Sequence, residues 1–200
     1  YMPEVPVHLV AGEESNMKLT YKEDTFLLDK LFQLRGSQAP DVPGKEHFGG
    51  RVAVVFGGSY GIGKDIATEL RNAGAKVYSF SRSLTGTDVG NRRDVARALK
   101  EVADKEGKID YVINTAGVLN KEPLCSMDYS IIQAAVQTNY MGTVNVALEA
   151  YNYLKQTQGQ LIFFTSSSYT RGRAFYSIYS STKAAIVNFV QAIAQEWESV

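Results

Sequence analysis

From residue 51 onward the sequence predicts an α/β fold, a doubly wound parallel sheet, preceded by a short α+β fragment of another domain. Three observations lead there. Short apolar runs such as "VAVVF" and "LIFF" alternate with longer amphipathic stretches, the pattern of buried parallel strands joined by covering helices. A glycine-rich turn, "FGGSYGIGK", joins the first such strand to the first helix. Upstream, "GSQAPDVPGKEHFGG" at 36–50 gathers Gly and Pro while apolar periodicity lapses, as a linker does. The expected parts are therefore a fragment at 1–36, a linker at 37–50 and a domain at 51–200.

In the fragment, "VPVHLV" and "MKL" read as short extended pieces and "TYKEDTFLLDKLFQLRG" as a helix. Thr20 is placed to cap it, Glu23 to reach back to the cap's amide and Gly36 to end it. Phe26, Leu27, Leu31 and Leu34 form one apolar stripe. About 35 residues cannot bury a core alone, so the piece reads as the tail of another domain. In the main domain, strands are expected at 51–56, 75–81, 86–89, 109–114 and 159–165, and helices at 61–73, 91–106, 128–156 and 176–199. One connection is abnormal. The few residues between Arg82 and Asp88 cannot hold the crossover that two parallel strands require.

Composition limits the partners. The chain has 200 residues, 21 basic and 21 acidic, so no net field recruits nucleic acid or an anionic membrane. Its apolar runs are far shorter than the roughly 20 residues that cross a bilayer. One cysteine, Cys125, excludes an internal disulfide, and "YMPEVPVHLV" has neither the basic nor the long apolar block of a signal peptide. A cytoplasmic location is the expectation.

Gly57, Gly61 and Gly63 stand between a buried strand and a helix. Such glycines serve a tight turn, close approach of backbone to a pyrophosphate, and close packing of helix on strand, which is the Rossmann-type phosphate loop. At the end of the next strand an acid would bind the ribose 2′-hydroxyl of NAD and an arginine the 2′-phosphate of NADP. The residues there are Ser81 and Arg82, which favours NADP(H). Asp88 is placed for the adenine edge.

Tyr179 and Lys183 lie one helical turn apart on the last helix. The spacing alone is weak, because Tyr60/Lys64 and Tyr151/Lys155 share it. Only Tyr179/Lys183 follows a strand that ends in hydroxyls, "TSSS", at the carboxyl edge of the sheet where open α/β folds bind ligands.

Together "GGSYGIG", "NTAG" (114–117), Asn139 in "VQTNYMG", "TSSS" and "YSSTK" resemble the short-chain dehydrogenase/reductases over residues 50–200. Phe56 stands where that family usually has a threonine before the first glycine. The resemblance implies a cofactor site of Gly57, Ser59, Tyr60, Gly61, Ile62, Gly63, Ser81, Arg82, Asp88, Val89, Asn114, Ala116 and Gly117, with Tyr179 and Lys183. It also implies a catalytic set: Ser166, thirteen residues before the tyrosine, to polarise a carbonyl, with Ser167 as the fallback; Tyr179 as proton donor; Lys183 to favour the phenolate and hold the nicotinamide ribose; and Asn139 to anchor a water between Lys183 and solvent. No metal is implied. The family adds at least one strand and a substrate loop after such a helix, and it pairs helices equivalent to 128–156 and 176–199 in homodimers or homotetramers.

Two features speak to substrate. Arg171 and Arg173 stand between the serine and the tyrosine, in the segment that borders substrate in this family, and suit an anion such as phosphate. The fragment's Asn16, Lys18, Thr20, Glu23 and Asp24 resemble the closing motif of cytidylyltransferases acting on methylerythritol or ribitol phosphate, which makes Lys18 the counterpart of a nucleotide-phosphate contact. The pairing resembles bifunctional enzymes that reduce D-ribulose 5-phosphate to D-ribitol 5-phosphate and form CDP-ribitol for capsular or teichoic-type polymers. A reductase of an unphosphorylated carbonyl compound and a noncatalytic dinucleotide-binding module are the rival readings.

Overall fold

The structure is a computed structural model that describes residues 20–28 and 47–197. The chain divides into two compact units, Tyr1–Pro43 and Gly44–Val200, with the division inside the Gly/Pro stretch.

In the first unit, residues 24–28 are helical after a turn. The acid that reaches back is Asp24 rather than Glu23: its Oδ2 accepts the amides of Tyr21 (2.8 Å) and Thr20 (2.9 Å). The reason is that the helix begins at 24, so the carboxylate one position later has the geometry to reach the amides of the preceding turn. Those two bonds hold its carboxyl below the ordinary aspartate range. Phe26 and Leu27 are exposed. The expected extended pieces, Asn16, Lys18, Leu31, Leu34 and the stop at Gly36 lie outside the described residues.

The second unit contains a four-stranded parallel sheet in the order β2-β1-β3-β4 among the described residues. Its strands are β1 (Val52–Phe56), β2 (Lys76–Phe80), β3 (Tyr111–Asn114) and β4 (Gln160–Phe163). Its helices are α1 (Gly61–Asn72), α2 (Arg82–Thr85), α3 (Arg92–Glu106), α4 (Tyr129–Val136), α5 (Gly142–Thr157) and α6 (Ser177–Trp197). Every residue of the central β1 is buried, because helices cover both faces. On one face Val54 and Phe56 pack with Val95, Leu99 and Val102 of α3 and Val146 and Ala150 of α5. On the other, Val55 and Ile113 meet Ala67 of α1. Each such Val, Leu, Ile or Phe side chain contributes about 1.5–3 kcal/mol of burial.

A buried carboxylate ties the two central strands at their amino ends. Asp110 accepts from Arg51 Nη1 (2.8 Å) and the Val52 amide (2.8 Å), with Lys108 Nζ 3.0 Å away. Burial pushes its carboxyl up, but Arg51, the Val52 amide and Lys108 outweigh that and hold it below the usual range.

One expectation needs correction. Residues 86–89 do not form a strand. Ser81 instead caps the one-turn α2, its Oγ accepting the Leu84 amide (3.1 Å), and Gly86 ends it at φ +67°. The chain then runs directly into α3, which removes the impossible crossover. The helix expected over 128–156 is present, with one irregularity inside it. It divides into α4 and α5 around a π-helical turn, Gln137–Met141, in which Thr138 and Asn139 are buried. No described helix is long and apolar enough to cross a membrane.

Candidate active site

The carboxyl ends of β1, β2 and β3 open on a cleft of about 320 Å3. Its floor is the glycine loop. Gly57 has φ +81°, and a Cβ there would lie 2.6 Å from the Ala116 amide nitrogen. A Cβ on Gly63 would lie 2.3 Å from Thr115 Oγ1 and 2.5 Å from the Gly57 carbonyl oxygen. Side chains at either position would force the loop off β3. Tyr60 precedes α1 without a side-chain cap, and the helix has no acid in its first turn. Its free amides and positive dipole end are thus left for an anion. A cradle that Cβ atoms would fill, beside an uncapped twelve-residue helix, fits the pyrophosphate of a dinucleotide.

Gly57, Ser59, Tyr60, Gly61, Ile62, Gly63, Ser81, Arg82, Asp88, Val89, Ala116 and Gly117 all line this cleft. Arg82, the first residue of α2, is exposed at its rim. Ser81 Oγ is engaged as the α2 cap, and Asp88 Oδ1 accepts the Gly90 amide (2.8 Å). Asn114 does not reach the lining: it is buried, and its Oδ1 accepts the Ala116 amide (3.1 Å), so it shapes the turn behind the cleft. Sequence reading passed over Ser83, Thr87, Thr115, Thr138 and Phe164, which also line it. Thr115 was open to detection, standing inside "NTAG" against the glycines; Thr138 reaches the cleft through the π turn, which periodicity does not reveal.

The second half of the site is carried by β4, α6 and the π turn. Lys183 is only 6% exposed; its Nζ donates to the Phe164 carbonyl (2.7 Å) and lies 5.8 Å from the centre of the Tyr179 ring. Burial pushes the Lys183 ammonium's pKa down. The hydroxyl of Thr165 donates to the Lys183 carbonyl (2.9 Å), which pins the end of β4 to α6. Asn139 clasps the strand-end loop through both amide atoms: Oδ1 accepts the Val118 amide (2.8 Å) and Nδ2 donates to the Val118 carbonyl (3.0 Å) and to Thr182 Oγ1 (3.3 Å). A Cβ on Gly117 would come within 3.4 Å of Asn139 Oδ1 and 3.7 Å of Lys183 Nζ, so Asn139 and Lys183 face one small glycine gap from two sides.

The hydroxyl run divides its tasks. Ser166 is half-buried and Ser168 buried. Ser166 Oγ accepts from Ser168 Oγ (3.0 Å) and from the Ser168 amide (3.3 Å). Ser167 is exposed, and its Oγ accepts from Arg173 Nη2 (3.2 Å). Arg171 is exposed on the same loop. Phe175 holds φ +69°, a left-handed conformation costly for an aromatic residue, while its carbonyl accepts the Glu122 amide (3.1 Å). Tyr176 packs edge-on to Tyr179 with ring centres 6.4 Å apart. Among the described residues, no group of three or more His, Cys, Asp or Glu could hold a metal ion.

Comparison with known proteins agrees with this geometry. The short chain dehydrogenase family matches residues 83–200. A bifunctional ribulose 5-phosphate reductase/CDP-ribitol pyrophosphorylase of Haemophilus influenzae is 48% identical over 98% of this chain, which spans 42% of that protein's length. The ipsdienol dehydrogenase of Ips pini is 35% identical over 72% of this chain and 68% of that protein. A short-chain type dehydrogenase/reductase structure from Mycobacterium ulcerans superposes with a TM-score of 0.71 at 26% identity, over 76% of this chain and 64% of that one.

Proposed function

The chain belongs to the short-chain dehydrogenase/reductase family of oxidoreductases, and on that premise we propose that it reduces a phosphorylated ketose, D-ribulose 5-phosphate to D-ribitol 5-phosphate, with NADPH. The observation that carries the substrate is the 48% identity along nearly the whole chain to the Haemophilus influenzae reductase. Arg171 and Arg173, exposed on the loop after Ser166, with Arg173 bonded to Ser167, support a phosphorylated substrate. For the cofactor, the support is Arg82 at the cleft rim, in a position where no acid competes for a 2′-phosphate.

A bound dinucleotide would be held by the glycine loop, the α1 terminus and the rim at Ser81, Arg82 and Asp88, and would supply the hydride. The chain's own side chains do the rest. Ser166 donates a hydrogen bond to the carbonyl oxygen and so favours charge developing there. The Tyr179 hydroxyl transfers its proton to that oxygen, yielding the alcohol and a phenolate. Lys183, desolvated beside the ring, stabilises the phenolate more strongly than it could in water. Asn139, which fixes the loop backbone at Val118, would serve the water that returns a proton from solvent.

On the same reading, residues 1–36 are the end of a cytidylyltransferase domain with Lys18 as a nucleotide contact, residues 37–50 are a linker, and 51–200 form the reductase. The complete protein would be a cytoplasmic homodimer or homotetramer that supplies CDP-ribitol for capsule or teichoic-type polymers. The test is NADPH oxidation at 340 nm by the full-length gene product with ribulose 5-phosphate against ribulose. A strong preference for the phosphorylated ketose is expected; equal rates would remove the phosphate from the proposal and favour an unphosphorylated carbonyl substrate.

A further inference from the structure

The two hydrogen bonds that converge on Ser166 come from one residue, Ser168. We propose that Ser168 is a positioning residue for the reduction, acting through Ser166. It rests on the reductase reading above. Ser168 is 4% exposed, and a buried hydroxyl requires a partner; its partner is the Ser166 hydroxyl at 3.0 Å. The Ser168 amide adds a second donor at 3.3 Å, because Ser166 caps the short turn Ser167–Tyr169.

A serine hydroxyl has one proton to give and two lone pairs to accept with. With both lone pairs directed at Ser168, the Ser166 oxygen has no capacity left to accept, and its proton is what remains to offer. Bonds accepted at the oxygen also polarise the O–H outward, so Ser166 becomes a better donor to a carbonyl. This arrangement selects the protonic orientation the reaction uses and suppresses the competing one, in which Ser166 would accept from a substrate hydroxyl. It also distinguishes the three serines: Ser167 is turned to Arg173 on the exposed side, while Ser166 is fixed from within by Ser168.

The test is a double-mutant cycle in the full-length protein, measured by NADPH oxidation with ribulose 5-phosphate. Ser168→Ala should lower kcat about tenfold, the loss of one well-placed hydrogen bond, with KM for the ketose and NADPH affinity by fluorescence unchanged. Introduced into Ser166→Ala, it should have less than a twofold further effect, because its target is gone. Ser168→Thr, which keeps the hydroxyl, should recover most of kcat. Wild-type kcat in Ser168→Ala would overturn the proposal. So would a full tenfold loss in the Ser166→Ala background, which a merely structural serine would produce. If ribulose 5-phosphate were not reduced, the substrate reading alone would fail; the same cycle with D-ribulose would still decide the role of Ser168.

Discussion

The two halves of the site are built from different materials. The phosphate cradle of the cofactor cleft is made of backbone: glycines at Gly57 and Gly63 with no room for a Cβ, and the free amides of an uncapped helix. The half proposed for catalysis and substrate is made of side chains, some fixed from several directions, such as Lys183 and Asn139, and some exposed, such as Arg171 and Arg173. A backbone site tolerates almost no substitution but distinguishes ligands only by shape and charge. A side-chain site can be retuned one residue at a time. Substrate identity should therefore be separable from cofactor binding by mutation.

The largest expected effect lies in the fixed part of the side-chain half. Tyr179→Phe removes the proposed proton donor and should reduce kcat by about 10²- to 10⁴-fold, with a far smaller change in NADPH affinity because the ring is kept. Parallel loss of cofactor binding would show that the two halves are not separable. Next comes Gly63→Ala in the backbone half. Its Cβ meets Thr115 and the Gly57 carbonyl, so NADPH binding should fall at least tenfold by fluorescence titration and the melting temperature should drop. At the rim of the same cleft, Arg82→Asp should shift the NADPH over NADH preference by about 10- to 100-fold, the worth of a charged hydrogen bond to the 2′-phosphate. An unshifted ratio of the two kcat/KM values would remove Arg82 from cofactor choice. The exposed part comes fourth. Arg173→Ala should raise KM for ribulose 5-phosphate a few-fold and leave ribulose reduction as it was, because the loss of a solvent-screened contact is modest.

The same contrast explains what could be read in advance. Backbone requirements leave a strict trace in sequence, so β1, the glycine spacing and the cleft residues from Gly57 to Gly63 were legible. The helix signal in "SRSLTG" was also present, a serine cap with a glycine stop, but the expectation of a strand at 86–89 obscured it. The π turn left no trace, since one extra residue in a turn hardly disturbs helical periodicity over 128–156; it is this turn that brings Thr138 to the cleft and aims Asn139 at Val118. Asn114 is expected at the cofactor because its motif is there, and its side chain also holds the turn, accepting the Ala116 amide. Choosing Ser166 over Ser167 required the family resemblance, because four consecutive hydroxyls carry no periodic signal. The hydrogen bonds differ between the two, Ser166 Oγ accepting from Ser168 and Ser167 Oγ from Arg173.

The smallest predicted effect tests where the halves join. Lys183 is driven below its ordinary pKa by burial, so the folded protein binds its proton less tightly than the unfolded chain does. Between the folded value and the unfolded value of about 10.4, the unfolded state carries more protons, and stability must rise with pH across that window. Below the folded value the buried ammonium costs stability at every pH. Lys183→Met carries no such proton, so its melting temperature should lack this alkaline gain while all other groups titrate as before. The expected signature is a difference between wild type and variant that moves in favour of wild type as pH increases toward 10, on the order of a few °C. A constant difference would mean that the ammonium is as well solvated in the fold as outside it. The strong field at Tyr179 that the mechanism takes from Lys183 would then have no source.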